Sequence, residues 1–265
     1  EEPFLISTAE QINLLKTNTV DTYFKLVNDV NLGNLEERIA VPFMGHLDGD
    51  GHKLTFSFGA GFFKQIAAGA TVKNLIVAGG MTGEGPNGIP IGRLADTNYG
   101  LIERCGSEMS SMLLKKAVNV RAGGLVGRNY GTISESYSSG IIKVELVARE
   151  AVNGYYPSLV DDLLGTDWNK GWVGGLVGTN SQGGLIRNSW SHSTVIVDAP
   201  GELTFGISGG LVGSNAGSIM NCYTVGSVTK TKYCGGISGV RQSGSSSVNC
   251  YYDMDTFKLT DTNGG

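Results

Sequence analysis

The chain has 265 residues, enough for one large domain or two small ones, and it contains 41 glycines but only 6 prolines. Abundant glycine without proline or a three-residue period excludes collagen, and a hydrophobic fraction of 40% excludes an intrinsically disordered chain. The net charge of −4 argues against a nucleic-acid partner. No run of about 18 apolar residues is present, so the sequence predicts no transmembrane segment.

Residues 1–42 are predicted to form an N-terminal cap. The Ser-Thr pair at 7–8, followed three residues later by Glu10 or Gln11, is typical of a helix start, and apolar residues at 12–15 extend the pattern. A helix at this position would cover the open end of a stack of strands, where unpaired backbone groups promote edge-to-edge association.

Short strands are predicted after the helix, first within 24–32 and then in a coil spanning 43–80. Asp48, Asp50 and His52 surround two glycines in that coil. The Asp-x-Asp spacing is shared with calcium loops, but the late bidentate glutamate of such a loop is missing. We therefore interpret the segment as a turn and expect no metal site.

A glycine-rich motif then recurs along the chain. Clear copies begin with Gly-Gly-Leu-Val-Gly at 123, 174 and 209, a worn copy starts at 235, and a weak one starts at 88. The unequal spacing indicates a unit that tolerates loops of different length. A unit of two or three short strands buries its apolar face only by stacking on the next copy. The predicted fold is all-β, a right-handed parallel β-helix (solenoid) with an N-terminal helical cap and two inserts.

The Gly-Leu-Val-Gly core, the asparagine two residues later and the subsequent Asn-Cys-Tyr resemble the GLUG-motif repeats over about residues 43–255. Such repeats occur in bacterial surface proteins and beside the catalytic domain of some IgA-cleaving metallopeptidases. The resemblance implies a β-helix at the cell surface or in a secreted protein, with the signal peptide removed. It implies no activity, because the repeat itself carries no known chemistry.

A single domain is predicted over 1–265, with coils at 43–255 and a tail at 256–265. The first insert, 107–119, places methionines and leucines at spacings close to helical. The second, 145–172, is too apolar for a free loop, so we expect it to fold back on the solenoid wall and to include a short helix near 157–164. Long excursions from a repetitive scaffold often carry binding specificity.

One repeat position accepts only small residues. Cys105, Cys222 and Cys250 occupy it in three copies, and Ser136 and Ser189 in two others. We interpret this as an inward-facing row of free thiols and hydroxyls, since free cysteine is among the most buried residue types. A Cys222–Cys250 disulfide is geometrically conceivable. No Cys-x-x-Cys occurs, so nothing supports a zinc or redox site.

Asparagine recurs at two repeat positions, and both rows are predicted to be structural, with amides bonding from coil to coil. The rows are Asn129, Asn180 and Asn215, then Asn188, Asn221 and Asn249.

An aromatic residue follows the small inward position in four copies and should point outward. Such a row either stiffens the wall as a ladder of rings or stacks on the rings of a sugar. Together with the tryptophans of the second insert, it supplies the candidate contact residues: Tyr137, Trp168, Trp172, Trp190, Tyr223 and Tyr251.

The predicted function is that of a non-catalytic, adhesin-like interaction module that binds a glycan or a host or partner protein. Two alternatives stay open: a structural stalk of a larger surface protein, and a polysaccharide lyase or glycosidase. The enzymes need paired carboxylates or calcium with a basic residue, but the close pairs here, at 161–162 and 253–255, lie outside the repeat strands. No His-Glu-x-x-His occurs either. No catalytic residue or cofactor is therefore expected.

Overall fold

The computed structural model describes residues 2–33, 38–148, 169–201 and 204–257. They form a parallel β-helix, as the sequence predicts. Each full coil contributes one strand to each of four parallel sheets, numbered I to IV in the order in which a coil visits them.

The strands that precede the first clear repeat are β1 (Phe4–Ile6), β2 (Tyr23–Leu26), β3 (Val30–Asn31), β4 (His46–Asp48), β5 (Lys53–Thr55), β6 (Phe63–Ile66), β7 (Thr71–Lys73), β8 (Ile76–Glu84), β9 (Pro90–Gly92), β10 (Ala95–Asn98), β11 (Leu101–Glu103), β12 (Gly106–Ala117) and β13 (Val120–Gly123). The remaining strands are β14 (Val126–Asn129), β15 (Thr132–Ser134), β16 (Tyr137–Leu146), β17 (Asn169–Gly174), β18 (Val177–Asn180), β19 (Leu185–Arg187), β20 (Trp190–Asp198), β21 (Thr204–Gly209), β22 (Val212–Asn215), β23 (Ser218–Met220), β24 (Tyr223–Thr224), β25 (Ser227–Val228), β26 (Tyr233–Gly235), β27 (Ser238–Arg241), β28 (Ser246–Val248) and β29 (Tyr251–Tyr252).

The strand order within each sheet follows the stacking of the coils. Sheet I is β6-β10-β14-β18-β22-β27, and sheet II is β1-β2-β4-β7-β11-β15-β19-β23-β28. Sheet III is β3-β5-β8-β12-β16-β20-β24-β29, with β25 also paired to β20, and sheet IV is β9-β13-β17-β21-β26. Interior strands therefore pair on both sides, and their backbone groups are not available to another chain.

The main core lies inside sheets I and II and the first part of sheet III. In the first clear repeat it holds Leu125, Val126 and Ile133, all fully buried, and the later copies place their equivalents at the same points. The leucine and valine of the glycine-rich motif are thus core residues, which explains why the repeat keeps large apolar side chains there.

A second core lies between the far half of the long sheet III strands and sheet IV. The helical spacing predicted for 107–119 is wrong, because this segment forms most of strand β12. Strand β12 holds one more residue after Glu108 than its neighbour β16. This β-bulge changes which side of the strand faces inward, so Met109 and Met112 both enter the second core although they are three residues apart.

The N-terminal helix is present as a 3-10 helix, Glu10–Thr17, which buries Ile12 and Leu15. Its start differs from a capping box. The side-chain carbonyl of Gln11 accepts the amides of Ser7 (2.7 Å) and Thr8 (3.2 Å), so the glutamine binds the preceding turn. Strand β1 already pairs with β2, so the segment before the helix belongs to sheet II.

The first asparagine row is a buried ladder of amides. The Nδ2 of Asn129 donates to the Oδ1 of Asn180, and the Nδ2 of Asn180 donates to the Oδ1 of Asn215, each at 2.9 Å. The ladder starts one coil earlier than predicted, with Asn98 donating to Asn129 at 2.8 Å. All four side chains are fully buried, so each rung satisfies polar groups that have no access to water.

The second row occupies an exposed corner. Asn188, Asn221 and Asn249 have φ of 50°, 53° and 51°, the left-handed conformation that asparagine tolerates better than most residues. Their amides bond from coil to coil at 3.2 and 3.1 Å. The structural interpretation of both rows is confirmed.

The row of small residues faces inward as predicted. Cys105, Ser136, Ser189 and Cys222 are buried, whereas Cys250 at the last coil is half-buried. Burial raises the pKa of Cys105 to about 12. At the open end, the hydrogen bond between the two thiols raises the pKa of Cys222 and lowers that of Cys250. Cys250 therefore combines a lowered pKa with better access to reagents than its neighbour Cys222.

This difference predicts biphasic thiol labelling. With Ellman's reagent at pH 7 and no reductant, we expect one thiol of the folded chain to react fast and the other three only after denaturation. Cys250→Ser should remove the fast phase, whereas Cys105→Ser should leave it unchanged. Only two reactive thiols in the denatured, unreduced chain would instead establish a disulfide.

The second insert lies largely outside the described residues. Strand β16 ends at Leu146 and β17 begins at Asn169, and both belong to the repeating coil. The short helix predicted near 157–164, the carboxylate pair at 161–162 and Trp168 fall in the part of the chain that the structure does not describe.

Candidate functional site

The outward aromatic row runs along sheet III. Tyr137, Trp190, Tyr223 and Tyr251 occupy equivalent positions on β16, β20, β24 and β29. The rings of Tyr137 and Trp190 stack at a centroid distance of 5.1 Å and an angle of 9°, and those of Trp190 and Tyr223 at 5.9 Å and 2°. Nearly parallel rings in series direct their faces at each other, so most of the ladder offers ring edges to solvent.

The ladder begins at Tyr137, and its rings become more exposed toward the last described coil. The Tyr137 ring lies over Gly106 of the preceding coil, where a Cβ would collide with it. The Tyr137 hydroxyl donates to the carboxylate of Glu108 at 2.8 Å, and burial followed by this bond raises the pKa of Tyr137 to about 12. Exposure rises along the row, reaching 45% at Tyr223 and 68% at Tyr251.

A groove of about 550 Å³ lies on another side of the solenoid, where the outer faces of sheets IV and I meet. Sheet IV contributes Arg121 and Trp172, which are paired neighbours on β13 and β17. Sheet I and the turns after it contribute the other lining residues: Arg128, Tyr130, Thr179, Asn180, Ser181, Gln182, Ser214, Ala216, Gln242, Ser243 and Gly244. The volume is within the range of ligand pockets, roughly 300–1,000 Å³.

The glycine-rich motif makes the two sheets meet closely enough to form this groove. A Cβ on Gly213 of β22 would lie 2.6 Å from the carbonyl oxygen of Gly178 and 2.6 Å from the amide nitrogen of Val173 on sheet IV. At Gly178, one coil earlier, a Cβ would lie 2.8 Å from the amide nitrogen of Ala122. Only glycine allows backbone to approach backbone at these positions.

Two arginines are the charged groups among the described residues that line the groove, and an aromatic ring positions each of them. The Arg121 guanidinium carbon lies 4.8 Å from the centroid of Trp172, and that of Arg128 lies 4.7 Å from the centroid of Tyr130. Tyr130 in turn stacks on Tyr99 at 4.7 Å and an angle of 4°. Burial lowers the pKa of Arg121, and the positive charge of Arg128 lowers it further, so the two guanidinium groups repel each other across the groove.

The groove also contains an unpartnered hydroxyl. Thr179 lies beside Arg128 on the next coil of sheet I and is only 8% exposed. Its Oγ1 is buried and has no hydrogen-bond partner among the described residues. A buried hydroxyl without a partner lowers stability, typically by about 1–3 kcal/mol. Because Thr179 lines the groove, its hydroxyl marks a position where a ligand atom would supply the missing bond.

Among the predicted contact residues, the structure brings Tyr137, Trp190, Tyr223 and Tyr251 into one row and places Trp172 in the separate groove. Arg121, Arg128 and Tyr130 also line the groove and were not predicted from the sequence. A signal existed for Arg128 and Tyr130, since they flank the repeat asparagine of their copy, whereas the next two copies have only threonine, serine or alanine at these positions.

Those carboxylates singled out in the sequence that lie within the described residues have structural partners. Asp48 accepts the amide of Asp50 at 2.9 Å and pairs with Lys73 at 3.2 Å, which confirms the turn interpretation. Asp253 accepts the amide of Asp255 at 3.0 Å, at the start of a short α-helix, Met254–Phe257. Within the described ranges, no group of three or more histidine, cysteine, aspartate or glutamate side chains is placed to hold a metal ion.

The fold is a parallel β-solenoid, and one of its coils carries a recognisable GLUG motif. Residues 119–145, which cover β14, β15 and most of the flanking strands, match the model of the GLUG motif. No curated protein sequence matches the chain. No helix in the described part of the chain is both long and apolar enough to cross a membrane.

Two solved structures share the fold. One is the crystal structure of a proposed immunoglobulin A1 protease from Bacteroides ovatus, with a TM-score of 0.58 and 19% identity over 95% of this chain and 75% of that chain. The other is described as an IgA1 protease, with a TM-score of 0.54 and 17% identity over 94% of this chain but only 21% of that chain. The similarity therefore lies in the solenoid and corresponds to about a fifth of the second protein.

Proposed function

We propose that this chain is a non-catalytic, adhesin-like binding module of an extracytoplasmic protein, and that carbohydrate binds in the groove between sheets IV and I. The GLUG motif and the fold shared with the two IgA1 protease chains support a surface or secreted location. The groove, with its aromatic-backed arginines and unpartnered hydroxyl, is the observation that carries the binding function.

The lining of the groove favours a sugar over a folded protein partner. Hydroxyl and amide side chains predominate, and Ala216 is the single aliphatic side chain among the lining residues described. Protein interfaces depend on a desolvated apolar centre, which this groove lacks. Sugars instead need alternating donors and acceptors around an aromatic surface.

A structural stalk is the second candidate, because the four sheets and the amide ladder continue without interruption from coil to coil. A lyase or glycosidase receives less support, since no carboxylate lies among the described residues that line the groove. Glycosidases of the common type place two carboxylates on either side of the bond they cleave.

The proposal predicts glycan binding that depends on Trp172. On a glycan array, the folded chain should bind at least one carbohydrate class, and Trp172→Ala should weaken that binding by about tenfold or more, as expected for an aromatic hot spot. Tyr251→Ala is the matched control, since it removes an exposed ring at the open end of the ladder.

The thermal midpoint of each variant separates binding from folding. A folded chain that binds no glycan would leave the stalk as the function. Equal affinity of Trp172→Ala and the unmodified chain would show that the groove is not the site. A loss of affinity in Tyr251→Ala alone would show that the binding surface lies on sheet III.

A further inference from the structure

We propose that the groove recognises anionic oligosaccharides, with the carboxylate or sulfate of one sugar residue held between Arg121 and Arg128. This inference rests on the proposed binding function and specifies its ligand class. The two guanidinium groups carry like charges in one groove, and an aromatic ring holds each of them in place. They repel each other, and an anion bound between them would relieve that repulsion.

Within the described ranges, each of the two guanidinium groups makes only one hydrogen bond. Arg121 donates from Nη1 to the carbonyl of Gly88 at 3.3 Å, and Arg128 donates from Nε to the hydroxyl of Ser181 at 3.1 Å. Neither has a carboxylate partner among the described residues. By contrast Arg104, on the corner after sheet II, contacts Glu103 at 2.9 Å and Glu135 at 3.9 Å. Each guanidinium has five donors in a planar fork, the geometry that matches carboxylate and sulfate oxygens.

The fixed positions of the arginines lower the entropic cost of binding. A surface arginine is ordinarily flexible and loses rotamer freedom when it pairs with a ligand. Here the Trp172 and Tyr130 rings already hold the two guanidinium planes, and Tyr99 supports the Tyr130 ring from the previous coil. The cationic pair is therefore organised before any ligand arrives.

Uncharged groups around the arginines fit the rest of a sugar. Thr179 offers its unpartnered hydroxyl one strand away from Arg128, and Ser214 follows on the next strand of sheet I. The side chains of Gln182 and Gln242 provide amide donors and acceptors at the rim.

An acidic peptide is the competing anion, and the backbone disfavours it. Peptides commonly bind β proteins by adding a strand to an open sheet edge. The strands that line the groove, β13, β14, β17, β18 and β22, are all interior strands with partners on both sides. A peptide would therefore gain no main-chain pairing with these five strands, whereas a sugar needs none.

Calorimetric titration of the full chain with four probes tests the ligand class. Two probes are acidic sugars: hyaluronan oligosaccharides carry carboxylates, and carrageenan oligosaccharides carry sulfates. The other two are neutral chitin oligosaccharides and poly-glutamate. We expect at least one acidic oligosaccharide to bind tenfold or more tightly than the neutral one, since charge-assisted hydrogen bonds contribute about that much or more. The difference in affinity between the hyaluronan and carrageenan oligosaccharides identifies whether the site prefers carboxylate or sulfate. Binding of the acidic probe should weaken as salt is raised from about 0.05 to 0.5 M, because screening acts on a partly exposed pair.

Three variants locate the site. Arg121→Gln and Arg128→Gln should each weaken acidic-probe binding by about tenfold or more, whereas Arg104→Gln, the matched control with carboxylate partners elsewhere, should not. Thr179→Val removes the unpartnered hydroxyl at constant shape, so it should weaken binding while the melting temperature stays equal or rises. A purely structural threonine would not give that combination.

The outcomes distinguish this inference from the function it rests on. Tight binding of the neutral probe that is unaffected by Arg121→Gln and Arg128→Gln would overturn the anion site and retain carbohydrate binding. Poly-glutamate binding at least as tight as that of the acidic sugars would overturn the ligand class. No binding of any probe by the folded chain would overturn both.

Discussion

Replacing Gly213 by alanine is expected to destabilise the chain by about 3 kcal/mol or more, at the upper end of what overpacking costs. The new Cβ would lie 2.6 Å from the Gly178 oxygen, 2.6 Å from the Val173 nitrogen and 2.8 Å from the Trp172 carbonyl carbon. All three atoms are backbone and belong to two different strands, so no side-chain rotation relieves the contact. Urea denaturation followed by far-ultraviolet circular dichroism measures the loss.

Gly80→Ala is the matched control on a strand of the same fold. A Cβ at Gly80 would lie 3.2 Å from the Ser110 hydroxyl, which can rotate away. We expect its unfolding free energy to stay within about 1 kcal/mol of the unmodified chain. Equal stability of Gly213→Ala and Gly80→Ala would mean that sheets IV and I do not meet in backbone contact, and that the groove has another shape.

The features predicted correctly from the sequence are those that the repeat itself encodes. The asparagines recur at fixed distances from the glycine-rich core, so their register in a stack follows directly once a parallel solenoid is assumed. The ladder through Asn129, Asn180 and Asn215 therefore has the predicted partners. The aromatic row has the predicted register for the same reason.

Features that depart from the repeat were not predictable in the same way. The second core depends on the bulge in β12. At the bulge, the spacing between inward-facing residues increases from two to three, and in the sequence this spacing resembles that of a helix. The weak repeat copy is another departure. It was predicted to start at Gly88, but Gly92 pairs with Gly123, so the copy starts at Gly92. Arg93 therefore occupies the position of the second motif glycine, and it is fully buried. It donates to the carbonyls of Phe56 and Ala78, and burial lowers its pKa to about 10.

The groove escaped prediction because its residues are not equivalent to one another in the repeat. Arg121 faces Trp172 across one pair of coils, and Arg128 lies beside Thr179 across the same pair, on a different sheet. The close approach of sheets IV and I brings these two pairs together. That approach depends on the glycines, so the residues that build the groove and those that line it have different roles.

The second large loss of stability is expected for Asn180→Asp, in the buried amide ladder. At neutral pH the introduced carboxylate would face the Oδ1 of Asn215 and the carbonyl oxygens of Gly184 and Ser218, to which the Asn180 amide now donates at 2.9, 3.3 and 3.4 Å. Burial and these acceptors disfavour the charged form. The pKa of the introduced carboxyl in the folded chain should therefore rise well above the unfolded value of about 3.9.

The sign of the pH dependence follows from that shift. A carboxyl whose pKa is raised by folding is protonated in the folded state and ionised in the unfolded state between the two pKa values, so stability falls as pH rises through that interval. Near pH 4 the protonated group still donates one bond to Asn215, and the variant should lose only about 1–2 kcal/mol. Above pH 4, we expect the unfolding free energy to fall by about a further 1.4 kcal/mol per pH unit until the folded-state pKa is reached.

Asn221→Asp separates the buried ladder from the exposed corner. Asn221 makes a similar amide bond, from its Nδ2 to the Oδ1 of Asn188 at 3.2 Å, but in contact with solvent. Aspartate also tolerates its positive φ of 53°. Its unfolding free energy in urea should change by about 0.5 kcal/mol or less across pH 4–8. A loss in Asn180→Asp that does not grow with pH would contradict the burial of the ladder, since only a carboxyl shielded from water couples its protonation to folding so strongly.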